Sequence, residues 1–302
     1  MSSGSYLSWS KFDNWFYLCF KEIMGKIFKF DDGLDELLQF FKEKRCVDLS
    51  SYQKSTLRRR IQKRLNELKL KDFREYKRYL IDESIEIDNF ISLITVSVTQ
   101  FFRDPIVFEY LRMRVLPELL EKRKSQIVKV WCIGCATGEE PYSFAILFKE
   151  IIDKERAYKN PFIVATDIDE KSISTAKEGY YSSSETLYDV KKGFLDKYFL
   201  PKNSGYLLKE EIRKMVNFYY HDIVTLTSPK EAVFTNFDFI SIRNLLIYFD
   251  KALQNAVINF LKDLIKDDGY LLLVEAEDLS EDIKDSFEKI SFLKLFKKRG
   301  QR

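Results

Sequence analysis

The sequence predicts an α/β protein: a doubly wound parallel sheet behind a small all-helical N-terminal domain. Three observations carry this. Residues 34–104 contain no glycine or proline, and their apolar residues recur at three- and four-residue spacing. From about residue 127, short β-branched or aromatic runs alternate with helical stretches, as in parallel strands joined by helices. Early in the second region lies CIGCATGEEPYS (132–143), which joins an apolar strand to an amphipathic helix through a turn at Gly134 and Gly138. Glycine allows a ligand close to the backbone, and the helix start offers free N–H groups. Pro141 is suited to the first helical position.

Taken in order, residues 1–30 form an aromatic extension expected to hold one apolar packing or partner helix. Its longest uncharged run, Asn14 to Phe20, is far short of the ~20 apolar residues of a membrane span. Residues 31–100 form the helical domain, with DELLQFFKEK, SSYQKSTLRRRIQKRLNELKL, DFREYKRYLIDE and IEIDNFISLIT as its helices. Asp48, Ser50 or Ser51, and Asp72 are candidate N-caps. Residues 101–302 form the sheet domain, with strands at IVKVWCIG, FIVATDID, MVNFYYHDI, FDFISIRN, YLLLVEAE and near SFLKLFKK. Residues 180–215 are polar and tyrosine-rich, and read as a small inserted subdomain with a turn at KNSG (202–205).

Composition narrows the function. The 302 residues carry a formal net charge of +3, too weak to predict nucleic-acid binding. A single histidine, His221, excludes a histidine-rich metal site, and no metal is expected. The four cysteines include one CxxC pair, Cys132 and Cys135, without a second pair to complete a zinc site. At the end of a buried strand the pair suits packing better than redox chemistry. A reduced, cytoplasmic location is the default expectation, without membrane insertion. No heptad or large apolar stripe forces a dimer, so a monomer is favoured.

The carboxylates Glu139 and Glu140 beside the glycine turn would repel a phosphate. They suit a ligand with hydroxyls or positive charge, such as S-adenosylmethionine (SAM). Asp167, at the tip of the second strand, is placed to accept hydrogen bonds from ribose hydroxyls. Asp169 fits better as the cap of the next helix. At the third strand end, Asp222 could accept from an adenine amino group with Ile223 against the ring; the alternative is a loop aspartate. His221 reads as a structural hydrogen-bonding residue. Arg243, Asn244 and Tyr248 fall at the edge of the sheet where ligands bind, and Arg103 lies at the join between the two domains. For Arg103 the alternative is an ion pair with Asp104, and for Tyr248 a core aromatic.

The ordered stretches TQFFRDP (Thr99–Pro105), GCATGEEPYS (Gly134–Ser143), ATDID (Ala165–Asp169) with Gly179-Tyr180, and FDFISIRNLLIYFD (Phe237–Asp250) resemble the CheR family. These are SAM-dependent glutamate O-methyltransferases of bacterial chemotaxis receptors. The resemblance runs from about residue 34 to the C-terminus. It implies a methyltransferase sheet and a cofactor cradle of Ser97, Thr99, Arg103, Gly134, Glu139, Glu140, Asp167, Asp222, Ile223, Arg243 and Asn244. It gives Arg103 and Tyr248 the substrate carboxylate. Ser97 and Asp222 stand where the family often has asparagine, and Ile242 replaces a common cysteine. The KNSG turn is short beside the longer loop with which some members dock on a receptor tail.

The implied chemistry fits the residue inventory. A glutamate carboxylate is already ionised near neutral pH, so no strong base is needed. A guanidinium grips a carboxylate in fixed geometry. The helix at KSTLRRRIQKR puts Arg60, Lys63 and Arg64 on one face, either a solvated surface or a dock for the acidic helices of chemoreceptors. The rival readings are a non-catalytic SAM-binding signalling module, which Arg103 and Tyr248 argue against, and an enzyme acting on a small molecule or nucleic acid. The expected product from the cofactor is S-adenosylhomocysteine.

Overall fold

The computed structural model describes residues 33–45, 47–95, 99–124, 126–155, 160–182, 185–230, 236–274, 277–290 and 293–300. The 1–30 extension, Cys46 and Ser97 lie outside the described residues.

Among the described residues four helices come first: α1 (Leu34–Arg45), α2 (Lys54–Leu68), α3 (Phe73–Asp82) and α4 (Ser84–Ile94). The helical spacing of the sequence becomes burial, since α2 hides Leu57, Ile61 and Leu65 on one face. Phe41 of α1 stacks on Phe90 of α4 at 3.8 Å. Asp72 caps α3 as expected, accepting from the Glu75 N–H at 2.8 Å. Asp48 and the serines do not cap α2. Asp48 closes its own turn by accepting from the Ser50 N–H (2.9 Å) and hydroxyl (2.6 Å), with Lys42 at 2.7 Å. These partners hold its carboxyl at about 2. The residue before α2 is Gln53, whose amide is spent on the other domain.

The sheet domain begins with α5 (Pro105–Tyr110), a π-helical turn (Leu111–Val115) and α6 (Leu116–Lys122). Then follow β1 (Lys129–Ile133), α7 (Glu139–Glu155), β2 (Phe162–Asp167) and α8 (Glu170–Glu178). The insert contributes β3 (Tyr180–Tyr181), α9 (Lys192–Tyr198), β4 (Phe199–Lys202), β5 (Gly205–Leu208) and α10 (Glu210–Arg213). The sheet resumes with β6 (Val216–Tyr220), β7 (Phe237–Ile242), α11 (Lys251–Leu264), β8 (Ile265–Leu272), α12 (Glu281–Lys284), β9 (Phe287–Lys289) and β10 (Leu295–Lys298).

The strand order is β6-β2-β1-β7-β8-β10-β9. The strands from β6 to β8 are parallel, as the alternation predicts. The far edge corrects that expectation, because β10 runs antiparallel to both β8 and β9. Residues 290–294 are too few to cross over the sheet, so the chain can only turn back. Helix α7 starts at Glu139, two residues before Pro141, which is harmless because the first helical N–H groups have no intrahelical partner. The insert is a three-stranded antiparallel sheet, β3-β5-β4, whose β4–β5 hairpin turns at KNSG with Asn203 at φ 51°.

Alternation along β1 sends Trp131 and Ile133 to one core and Val130 and Cys132 to the other. The first core is shared with α11 and the helical domain, which therefore lies on one face of the sheet near its C-terminal strand ends. Asp238, fully buried on β7, anchors the opposite end. It accepts from Arg123 Nε, Lys266 Nζ and the Lys129 N–H, each at 2.8 Å. Asp238→Ala would leave two half-buried cations without their shared anion. We expect a loss of about 3 kcal/mol in denaturant unfolding.

Candidate functional site

The Gly134 and Cys135 N–H groups both donate to the Thr166 carbonyl, at 2.8 and 3.0 Å, which pins the turn after β1 onto β2. Gly134 adopts φ 69°, and a Cβ there would press on Leu245 at 3.1 Å. The tip of β1 therefore stays low. A cleft opens above it, between the C-terminal strand ends and the end of α4.

Asp167 forms one wall of the cleft. Its carboxylate accepts from the Ala136 N–H at 2.8 Å and the Asp169 N–H at 2.9 Å, and burial pushes it up to about 6. Asp169 turns away and caps α8, accepting from the Lys171 N–H (3.1 Å) and the Ser172 hydroxyl (2.8 Å). Asp222 and Ile223 line the wall beyond β6. The Asp222 carboxylate accepts from the Val224 N–H at 3.0 Å, and burial raises its pKa. His221 fills the structural role expected of it. Its backbone N–H donates to the Asp167 carbonyl, its Nε2 lies 2.9 Å from the Thr227 carbonyl, and its ring meets Trp131 edge-on.

The two acids of the glycine turn part company. Glu140 faces the cleft and pairs with Arg243 at 3.1 Å. Glu139 is one residue, and so about 100° of helix, away. It points inward, accepts from the Thr137 hydroxyl at 2.8 Å, and is pushed up to about 7 by burial. The expectation that both line the cleft is corrected for Glu139, which is absent from its walls.

Arg243 is the buried charge at the centre. Besides Glu140 it grips the Asp104 carboxylate, donates to the Arg103 carbonyl at 3.2 Å and stands over the Phe108 ring. Asp104, the ion partner considered for Arg103, is thus held by Arg243. Arg103, Thr99, Asn244 and Tyr248 all line the cleft. TQFFR is placed by its phenylalanines. The Phe102 N–H donates to the Ser143 hydroxyl at 2.9 Å, and Phe101 packs edge-on against Tyr181 and Phe199 of the insert. Tyr248 ends a short 3-10 turn (Leu246–Tyr248), under the Arg60 guanidinium at 4.6 Å.

Arg64 corrects the picture of a uniformly open basic face on α2. It holds the buried Glu86 through Nε and Nη2, both at 2.7 Å, because an isolated carboxylate could not stay ionised there. Lys63 is exposed. Sequence reasoning missed Tyr52, a buried cleft residue that packs edge-on against Phe249. It sits in the loop before α2, where no periodicity marks it. Cys135 also reaches the cleft, and burial raises both CxxC thiols well above their usual range.

Comparison with known proteins matches residues 97–295 to the CheR methyltransferase SAM-binding domain and residues 32–95 to the CheR methyltransferase all-alpha domain. The chain belongs to the CheR methyltransferase family. A chemotaxis protein methyltransferase of Borreliella burgdorferi is 30% identical over 254 residues, 82% of this chain and 88% of that one. One of Listeria innocua is 31% identical over 233 residues, 77% and 85% of the two chains. An uncharacterised 104.1 kDa protein of Rhodobacter capsulatus is 29% identical over 261 residues, which are 86% of this chain but 27% of that protein. The family's function is SAM-dependent methylation in chemotaxis, and SAM is the cofactor of this CheR chain.

The CheR cleft fits that cofactor. Its walls combine apolar surface with acids for hydroxyls and a sulfonium. Arg243 Nε is buried with no acceptor among the described residues, leaving a donor for an anionic ligand group. Among the described residues no cluster fit to hold a metal ion occurs, and no helix is long and apolar enough to cross a membrane.

The raised acids make the CheR fold pH-sensitive in a defined direction. Glu139 near 7 and Asp167 near 6 hold protons in the native state at a pH where the unfolded chain, at 4.5 and 3.8, has released them. Stability of the ligand-free protein should therefore fall as pH rises from about 4 to 7, by on the order of 3 kcal/mol per group. Unfolding midpoints across that range check this, and Glu139→Gln should flatten the slope.

Proposed function

We propose that this CheR protein transfers the methyl group of SAM to glutamate side-chain carboxylates on the cytoplasmic helical region of chemoreceptors, giving methyl esters that reset signalling. One observation carries the reading: Arg103 and Tyr248 share a single cleft with Glu140, Asp167 and Asp222. When bound, SAM supplies an electrophilic methyl group. An ionised acceptor carboxylate needs no proton removed, and no Ser-His-Asp or dyad arrangement is required of the cleft. What the chain must do is hold and orient. Arg103 offers the acceptor a two-pronged cation, and Tyr248 a hydroxyl at the same mouth. Asp167 is placed for the ribose hydroxyls, and Asp222 with Ile223 for the adenine.

Arg103 must orient the carboxylate without quenching its nucleophilicity, which a half-exposed guanidinium does better than a buried one. Each ester formed removes one negative charge from a receptor helix and eases its repulsion with acidic neighbours. Docking of such helices on α2 is served by Lys63 and by the edge of Arg60, with Arg64 holding the helix bundle behind them. The reaction takes place in the cytoplasm, where receptor methylation sites lie.

Three measurements test this. Receptor-containing membranes and radiolabelled SAM should give labelled receptor bands that lose label as methanol in mild alkali; label stable to alkali would overturn the ester. Arg103→Ala should abolish that transfer while leaving the unfolding midpoint in place. Asp167→Ala should weaken SAM binding in calorimetry by about 1.5–3 kcal/mol through the loss of charge-assisted hydrogen bonds.

A further inference from the structure

Glu277 lies outside the cleft, follows the last parallel strand, and is almost fully buried at 4% exposure. Among the described residues it has no cationic partner. Its two carboxylate oxygens are instead taken by backbone donors: Oε1 accepts from the Leu246 N–H at 3.0 Å and Oε2 from the Val274 N–H at 3.0 Å. The N–H groups of Leu245 and Ile247 add to the same favourable field. These donors open the 3-10 turn Leu246–Tyr248, whose first N–H groups have no partner within the turn itself. The carbonyls of that turn are held from elsewhere. Gln254 Nε2 donates to the Leu246 carbonyl at 2.8 Å, Gln53 Nε2 to the Ile247 carbonyl at 2.9 Å, and the Gln53 N–H to the Tyr248 carbonyl at 2.8 Å. Glu277 is thus the donor-side clamp of a segment with Asn244 at one end and Tyr248 at the other.

We propose that Glu277 is a positioning residue for methyl transfer, whose carboxylate fixes the turn that carries Tyr248 to the acceptor. This rests on the reading of Tyr248 as an acceptor-facing residue. An anion does this better than an amide. Glutamine in its place would turn an NH2 toward one of two N–H groups and leave that donor buried and unsatisfied. Burial raises the carboxyl to about 7 against the pull of the surrounding N–H groups, so the clamp is fully anionic only above that pH.

The test compares Glu277→Gln, Glu277→Asp, Tyr248→Phe and the double variant Glu277→Gln/Tyr248→Phe in full-length protein. Initial rates of receptor labelling give kcat and KM, and mass spectrometry gives amide exchange across residues 244–249. We expect Glu277→Gln to lower kcat about 100-fold, the scale of a 1 Å misplacement. KM for SAM should change by less than about threefold. Glu277→Asp, which keeps the charge and shortens the reach, should recover part of the loss. The double variant should be no slower than the slower single variant, because both act through one group. Exchange at 244–249 should quicken in Glu277→Gln. A kcat within about twofold of wild type, or losses that multiply in the double variant, would overturn the proposal. If Glu277→Gln does not fold, Glu277→Asp decides on the same split: reduced kcat at steady KM supports the proposal, and unchanged kcat sinks it. Failure of the wild type to label receptors would instead defeat the receptor reading. The exchange measurement then stands alone, and unchanged exchange at 244–249 overturns the clamp.

Discussion

The buried guanidinium of Arg243 is the interaction on which the site depends. It is 6% exposed and joins three stretches far apart in sequence: Glu140 at the start of α7, Asp104 with the Arg103 carbonyl before α5, and its own loop after β7. A cation so placed must be paired, or its desolvation would cost several kcal/mol. The pairing therefore fixes the relative positions of the glycine turn, the TQFFRDP segment and the RN loop. The rest of the cleft follows from that geometry. Arg103 is presented at the mouth because its carbonyl is held inside, and Glu140 is brought to the wall because its partner lies there.

Much of this architecture was legible in the residues, for physical reasons that differ by element. The helical domain has apolar positions at helical spacing without a breaking residue, and α2 buries the three residues its periodicity marks, Leu57, Ile61 and Leu65. The parallel strands are legible because both faces are covered, so they read as unbroken apolar runs. Asp167 and Asp169 could be told apart because one precedes a helix at capping distance and the other ends a strand. The edge of the sheet was less legible. Strand β9 has three residues, two of them exposed, too short a stretch to show a pattern.

Within the site, residues next to a motif were harder to place than the motifs. Glu139 and Glu140 are adjacent identical acids, and only the rotation of α7 separates a cleft residue from a buried one. Arg64 looks like its surface neighbours until Glu86, twenty-two positions away, is folded against it. Tyr52 and Glu277 depend on contacts between distant segments, which a single sequence does not display.

The seam between the two domains has a consequence of its own. Asp250 N–H donates to the Ser51 carbonyl, Gln53 N–H donates to the Tyr248 carbonyl, and Tyr52 bridges to Phe249. A few residues of the helical domain thus form a strand-like zipper with the very segment that bears Tyr248. The helical domain is therefore part of the wall of the reaction chamber and not a detachable adaptor. Exchange of such domains between relatives, in nature or by chimeric design, would have to carry the zipper's two halves together. This ties the exposed face of α2 to the cleft behind it, so the two are inherited as one unit.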